Sequence, residues 1–147
     1  MGTGILGHGY EGRSIDEYIS DLLAWNVQTL VDVRLNAISR KKGFSKRALS
    51  EALSNAGITY LHRPSLGNPK DNRDGFWNPG STAAEVAHEN FRATLESEEA
   101  RGAIQEIAHL ASTEQIVLLC FESDERCCHR ALVREAVNDE LYQLATV

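Results

Sequence analysis

The sequence predicts an α/β fold: a single three-layer domain with a mostly parallel sheet and helices on both faces. Three observations predict it. Thr29–Val33 and Ile116–Cys120 are short continuous apolar runs, the mark of strands buried on both faces. Segments with helical periodicity separate the strand candidates, and this alternation favours parallel strands joined by helices. The length of 147 residues suits one domain with a sizeable core.

The elements follow in order. Ile5 and Leu6 end a short first strand, and Gly7-His8-Gly9 reads as a turn. Ser14-Ile-Asp-Glu17 forms a capping box that opens a helix to about Asn26, with Ile15, Tyr18, Ile19, Leu22 and Leu23 as its apolar stripe. After the strand at 29–33 comes a basic loop from Arg34 to Gly43. Ser45 caps a second helix that ends at Gly57, and Ile58–Leu61 is the third strand. Arg63 to Gly80 holds all three prolines and reads as a long loop of the kind that often carries function. Helical patterns cover about 82–95 and 98–112, and a last helix is expected from about Cys127 to Asn138. Tyr142–Val147 reads as a closing strand.

The placement of the unusual residues points to a site. In parallel α/β sheets, ligands bind outside the carboxyl ends of the strands. His8 follows the first strand, Asp32 and Arg34 bracket the end of the second, and His62 and Arg63 follow the third. Cys120-Phe-Glu-Ser-Asp-Glu-Arg-Cys-Cys-His-Arg130 follows the fourth and holds all three cysteines. These clusters are expected to meet at one edge of the sheet.

Composition narrows the function. The net charge of -6 argues against whole-surface binding to nucleic acid, although a local basic patch remains compatible with it. No apolar run approaches the ~20 residues that span a bilayer, so no membrane partner is expected, and no secretory signal is visible. Three cysteines, two of them adjacent, make a poor disulfide framework and suit a reducing cytoplasm.

Six motifs carry a resemblance through nearly the whole chain: Leu6-Gly-His-Gly9, Leu30-Val-Asp-Val-Arg34, Phe44-Ser-Lys with Ala48-Leu49, Gly57-Ile-Thr-Tyr60, Leu66-Gly-Asn-Pro-Lys70, and Cys120-Phe-Glu with Cys128-His-Arg130. In this order they resemble the uncharacterised bacterial family known as domain of unknown function 488. The resemblance implies a compact cytoplasmic α/β domain without an established activity. It marks His8, Asp32, Arg34, Glu122, Cys128, His129 and Arg130 as shared polar positions. Ala37 stands where the family usually has proline, which implies a more mobile basic loop, and Cys127 lies outside the pattern.

Each candidate has a functional and a structural account. Asp32 and Glu122 end apolar strands, where burial raises a carboxylate toward acid–base use; as salt-bridge partners they would instead hold Arg34 or Arg130. Cys128 and His129 are expected in the first turn of a helix, with Arg126, Arg130 and Arg134 nearby, so Cys128 is either a nucleophilic thiolate or a small core residue. His129 is the matching nucleophile or base. His8 is a base, a phosphate donor or a loop hydrogen-bonder. Arg34, Arg40, Lys70 and Arg130 are the phosphate-binding candidates, within a basic run that equally suits a solvated face. Phe76, Trp77 and Tyr10 either stack on a base or pin loops. The C-x5-R spacings at Cys120–Arg126 and Cys128–Arg134 are read as coincidence, because acidic residues crowd the first and a helix contains the second.

Zinc is a weaker possibility: no C-x-x-C pair exists, and adjacent cysteines rarely ligate one ion. No metal ligand is therefore assigned, and no cofactor is predicted. The leading expectation is a small cytoplasmic enzyme acting on a phosphate-bearing substrate, a nucleotide or nucleic acid. The alternatives are a non-catalytic nucleotide or nucleic-acid binding module, and a zinc-binding or purely structural domain.

Overall fold

A computed structural model describes residues 2–145. Its order is β1 (Gly4–Gly9), α1 (Ile15–Ala24), β2 (Thr29–Asp32), α2 (Lys46–Asn55), β3 (Thr59–His62), α3 (Thr82–Thr94), α4 (Glu98–Ala111), β4 (Gln115–Cys120) and α5 (Arg130–Ala145). The four strands form one parallel sheet in the order β1-β4-β2-β3. This is the α/β architecture that the alternating pattern predicts.

The pleat sends successive strand residues to opposite faces, and each face has its own core. Leu30, Val117 and Leu119 pack with Tyr18 and Leu22 of α1 and Leu49 and Leu53 of α2. Val31, Ile116, Leu118 and Cys120 pack on the other face with Phe91 of α3, Ile107 of α4 and Val133 of α5. The connections from β1 to β2 and from β2 to β3 step one way across the sheet and carry α1 and α2. The connection from β3 to β4 steps back and carries α3 and α4. Right-handed crossovers require this reversal of face.

Local signals explain most boundaries. Ser14 accepts from the Glu17 amide at 3.1 Å and Glu17 accepts from the Ser14 amide at 2.9 Å, the expected capping box. Asn26 turns the chain after α1 with φ 57°, and Gly57 does the same after α2 with φ 78°. The Ser45 hydroxyl makes no cap bond; it ties the basic loop by donating to the Ser39 carbonyl at 3.0 Å.

Three expectations need correction. Gly7-His8-Gly9 is strand rather than turn, because β1 pairs with β4 as far as Gly9 and Cys120. Both glycines serve close approach. A Cβ on Gly7 would meet Arg130 Nε at 3.1 Å, and one on Gly9 would overlap the Glu122 carbonyl. The last helix begins at Arg130 rather than Cys127, since Cys128 is extended at φ -134°, ψ 142°. The closing strand is absent over Tyr142–Ala145, which continue α5 as helix, and Thr146 and Val147 lie outside the described residues.

Candidate functional site

β4 lies between two strands whose following connections run over the opposite face. Its carboxyl end is therefore the topological switch point, where chains part and leave a crevice. A cleft of about 280 Å³ opens there. Tyr10 after β1, Arg34, Leu35, Asn36 and Ile38 after β2, and Cys120 to Glu122 at the end of β4 line it. The long loop closes the far wall with Asn68, Arg73 and Trp77, and His129 lies between. Gly67 permits this closure, since a Cβ there would stand 2.5 Å from the Leu35 backbone.

Asp32 and Arg34 point to the α1/α2 side and engage each other. Arg34 Nε and Nη2 donate to the two Asp32 oxygens at 2.8 and 2.6 Å, and Arg34 Nη1 donates to the Phe44 carbonyl at 2.6 Å and to Tyr10 Oη at 3.3 Å. Tyr60 Oη donates to Asp32 at 2.6 Å. Asp32 is fully buried, and the Arg34 side chain is 8% exposed. Burial alone would lower the Arg34 pKa, but the Asp32 carboxylate holds it above its ordinary value. Asp32 is thus no proton shuttle to the cleft, and Arg34 reaches the wall with its donors already engaged. The pair is a buried clamp between the ends of β2 and β3.

Of the other sequence candidates, His8, Arg40, Lys70 and Arg130 lie outside the cleft lining. His8 faces α1, stacked on Tyr18 with centroids 4.4 Å apart, and shares a hydrogen bond with Asp21 at 2.8 Å. Burial lowers its pKa, with Asp21 opposing. Arg130 is 2% exposed and fastens the loop after β4: Nη1 and Nη2 donate to the carbonyls of Glu122 and Ser123 at 2.5 and 3.3 Å. Glu125 pairs with both Arg130 and Arg134. Arg40 is exposed and is not part of the lining, and Lys70 sits in an adjoining hollow with Arg73 and Trp77. Phe76 is buried against His88 and Phe91 and pins the long loop, whereas Trp77 is 63% exposed at the rim.

Three predicted residues do meet in the cleft: Glu122, His129 and, through Cys120, the sulfur of Cys128. Glu122 projects from the end of β4, and desolvation raises its pKa. His129 is 7% exposed, and its Nε2 lies 2.8 Å from the Val33 carbonyl. A carbonyl only accepts, so Nε2 carries the proton, and in the neutral ring Nδ1 is left as a lone pair. Nδ1 lies 3.8 Å from the sulfurs of both Cys120 and Cys128. Those sulfurs are joined as a disulfide, a pairing that the poor disulfide framework of the sequence did not lead one to expect. The turn at Glu125–Cys127 folds the chain back so that Cys128, not Cys127, meets Cys120. Cys128 is 2% exposed and so is not an accessible nucleophile in this state. Cys127 is the free thiol, and desolvation followed by the Asp124 charge raises its pKa.

Burial lowers the His129 pKa to about 4. The unfolded chain, at about 6.5, binds the proton more readily, so this residue's contribution to stability is complete above pH 6.5 and is lost as pH falls toward 4. The interval corresponds to about 3 kcal/mol. Urea unfolding in chelator at pH 7 and pH 4 is expected to show His129→Gln losing that much less stability on acidification than the wild type. Equal losses would contradict the buried neutral ring.

Arg73, Asn68 and Phe121 are the cleft residues that stand out least in sequence. Arg73 Nε donates to the Asn68 carbonyl at 3.0 Å, and its terminal nitrogens have no ion pair among the described residues. Phe121, 45% exposed, directly follows β4; that position at a strand's carboxyl end was its only signal.

A family profile described as "Domain of unknown function DUF488" matches residues 14–137. The chain belongs to the DUF488 family. No curated protein and no solved structure matches it. The Leu6-Gly-His-Gly9 segment, which precedes the matched residues, acquires a structural meaning here, because its two glycines admit Arg130 and the Glu122 backbone of the later Cys-Phe-Glu and Cys-His-Arg segments.

Proposed function

We propose that this DUF488 protein is a small enzyme that binds a nucleotide, free or at the end of a nucleic-acid chain, in the switch-point cleft. One observation carries the reading. The cleft combines an arginine whose terminal nitrogens have no ion pair among the described residues, exposed aromatic rings and one carboxylate in a single lining. Arg73 takes the phosphate, the role expected of Arg34 and Arg130. Trp77 and Phe121 stack on the base. Glu122 exchanges a proton with the substrate or with water.

The experiment is isothermal calorimetry with a panel of nucleoside mono- and diphosphates, alongside chromatographic turnover assays. Arg73→Ala and Trp77→Ala are each expected to weaken binding by about 10-fold or more. Arg40→Ala leaves affinity unchanged. Glu122→Gln keeps affinity and slows turnover by about 100-fold or more. Binding without turnover by any form would favour the non-catalytic module, and absence of binding would remove the nucleotide reading.

A further inference from the structure

We propose that Cys120, Cys128 and His129 form a divalent metal site, with zinc as the natural ion, when the two cysteines are reduced. Cys120 Sγ, Cys128 Sγ and His129 Nδ1 all lie within 4.8 Å of one another. All three residues are buried, at 5%, 2% and 7% exposure. A tetrahedral zinc ion with Zn–S about 2.3 Å and Zn–N about 2.0 Å needs ligand edges of roughly 3.5–3.8 Å. The ring nitrogen already stands 3.8 Å from each sulfur. Only the two sulfurs must part, and the backbone leaves room for this. Their Cα atoms are 7.1 Å apart, beyond the span of about 4.4–6.8 Å that most disulfides use.

The second observation is the fixed ring. Metal-bound histidines commonly donate their other N–H to a carbonyl, which sets the tautomer and aims the lone pair. Val33 does this for His129 at 2.8 Å, and the lone pair faces the sulfurs. The ligand set is soft and borderline, thiolate and imidazole, which selects zinc over magnesium or calcium. Cys120 and His129 both line the cleft, and Glu122 Oε2 lies 3.7 Å from Cys120 Sγ. Three protein ligands with a fourth position open to a cleft is the pattern of a catalytic rather than a structural zinc site. On binding, each thiol releases its proton to solvent and each sulfur gives an electron pair to the ion. The disulfide form, two electrons more oxidised, has no thiolate to give. The absence of a C-x-x-C pair misleads here because the strand end and the turn, not sequence spacing, bring the ligands together.

This inference stands on the ligand geometry and not on the nucleotide reading. Nucleotide binding by chelated protein tests the one, and metal loading without nucleotide tests the other. Chelated full-length protein kept in a phosphine reductant is titrated with cobalt(II). The expected result is one ion per chain, a thiolate-to-cobalt charge-transfer band in the near ultraviolet, and displacement by zinc. Cys127→Ser keeps the band, whereas Cys128→Ser weakens metal binding by about 100-fold or more. Should that variant not fold, wild-type protein oxidised to the disulfide provides the comparison and shows no band. Substoichiometric metal with no band in reduced wild type overturns the site. So does a band that needs Cys127 but not Cys128.

Discussion

Asp32→Ala is expected to destabilise the protein by about 3–5 kcal/mol, because it strands a buried guanidinium. Asp32 is fully buried, accepts both forks of Arg34 and also accepts from Tyr60. Its removal leaves the Arg34 charge with only the Phe44 carbonyl and the Tyr10 hydroxyl. The double variant Asp32→Ala/Arg34→Met removes the orphaned charge along with its partner, so it is expected to recover part of the loss. Urea midpoints of the two variants measure this directly. A folded Asp32→Ala protein of wild-type stability that has lost turnover would return Asp32 to the catalytic role suggested by its position in the sequence.

Gly9→Ala is expected to cost about 2–3 kcal/mol and to open the cleft. The new methyl group would overlap the Glu122 backbone carbonyl, and backbone cannot swing aside as a long side chain can. The loop after β4 must shift, carrying Glu122 and Phe121 with it and straining the Arg130 bond to the Glu122 carbonyl. Loss of stability and weakened ligand binding should therefore appear together. Gly12→Ala is the useful contrast: its φ of 77° makes it costly for the turn, but a Cβ there meets nothing. It should lose stability without losing affinity.

The layers and strand positions were legible in the sequence because continuous apolar runs and helical stripes record burial directly. That the polar groups gather at the carboxyl ends was legible too, since parallel strands leave only one edge for them. The direction of each side chain was less so. Asp32 and Arg34 face the α1/α2 layer while Cys120 faces α3–α5, and this follows from the pleat and from partners distant in sequence. Seen along the chain they belong to one cluster; in space Asp32 is buried on one side of the sheet, and Arg34 meets the cleft with its donors already engaged. His8 went astray for a related reason. Glycine on either side suggests a turn, but here the glycines are the price of packing β1 against the Cys120–Arg130 segment. The disulfide partner of Cys120 depends on the turn at Glu125–Cys127, and no spacing rule identifies it.

The central claim is that the cleft after β1, β2 and β4 is where a nucleotide binds. Amide chemical-shift mapping of isotope-labelled, reduced protein during titration with nucleoside monophosphates tests it most directly. The prediction is a saturable response concentrated at Tyr10, Leu35, Asn36, Ile38, Arg73, Phe121 and Glu122, which all border the cleft. No response at millimolar nucleotide would contradict it. So would a response confined to the exposed basic residues Arg40 and Arg47, or to the separate groove lined by Arg92, Arg101 and Glu135.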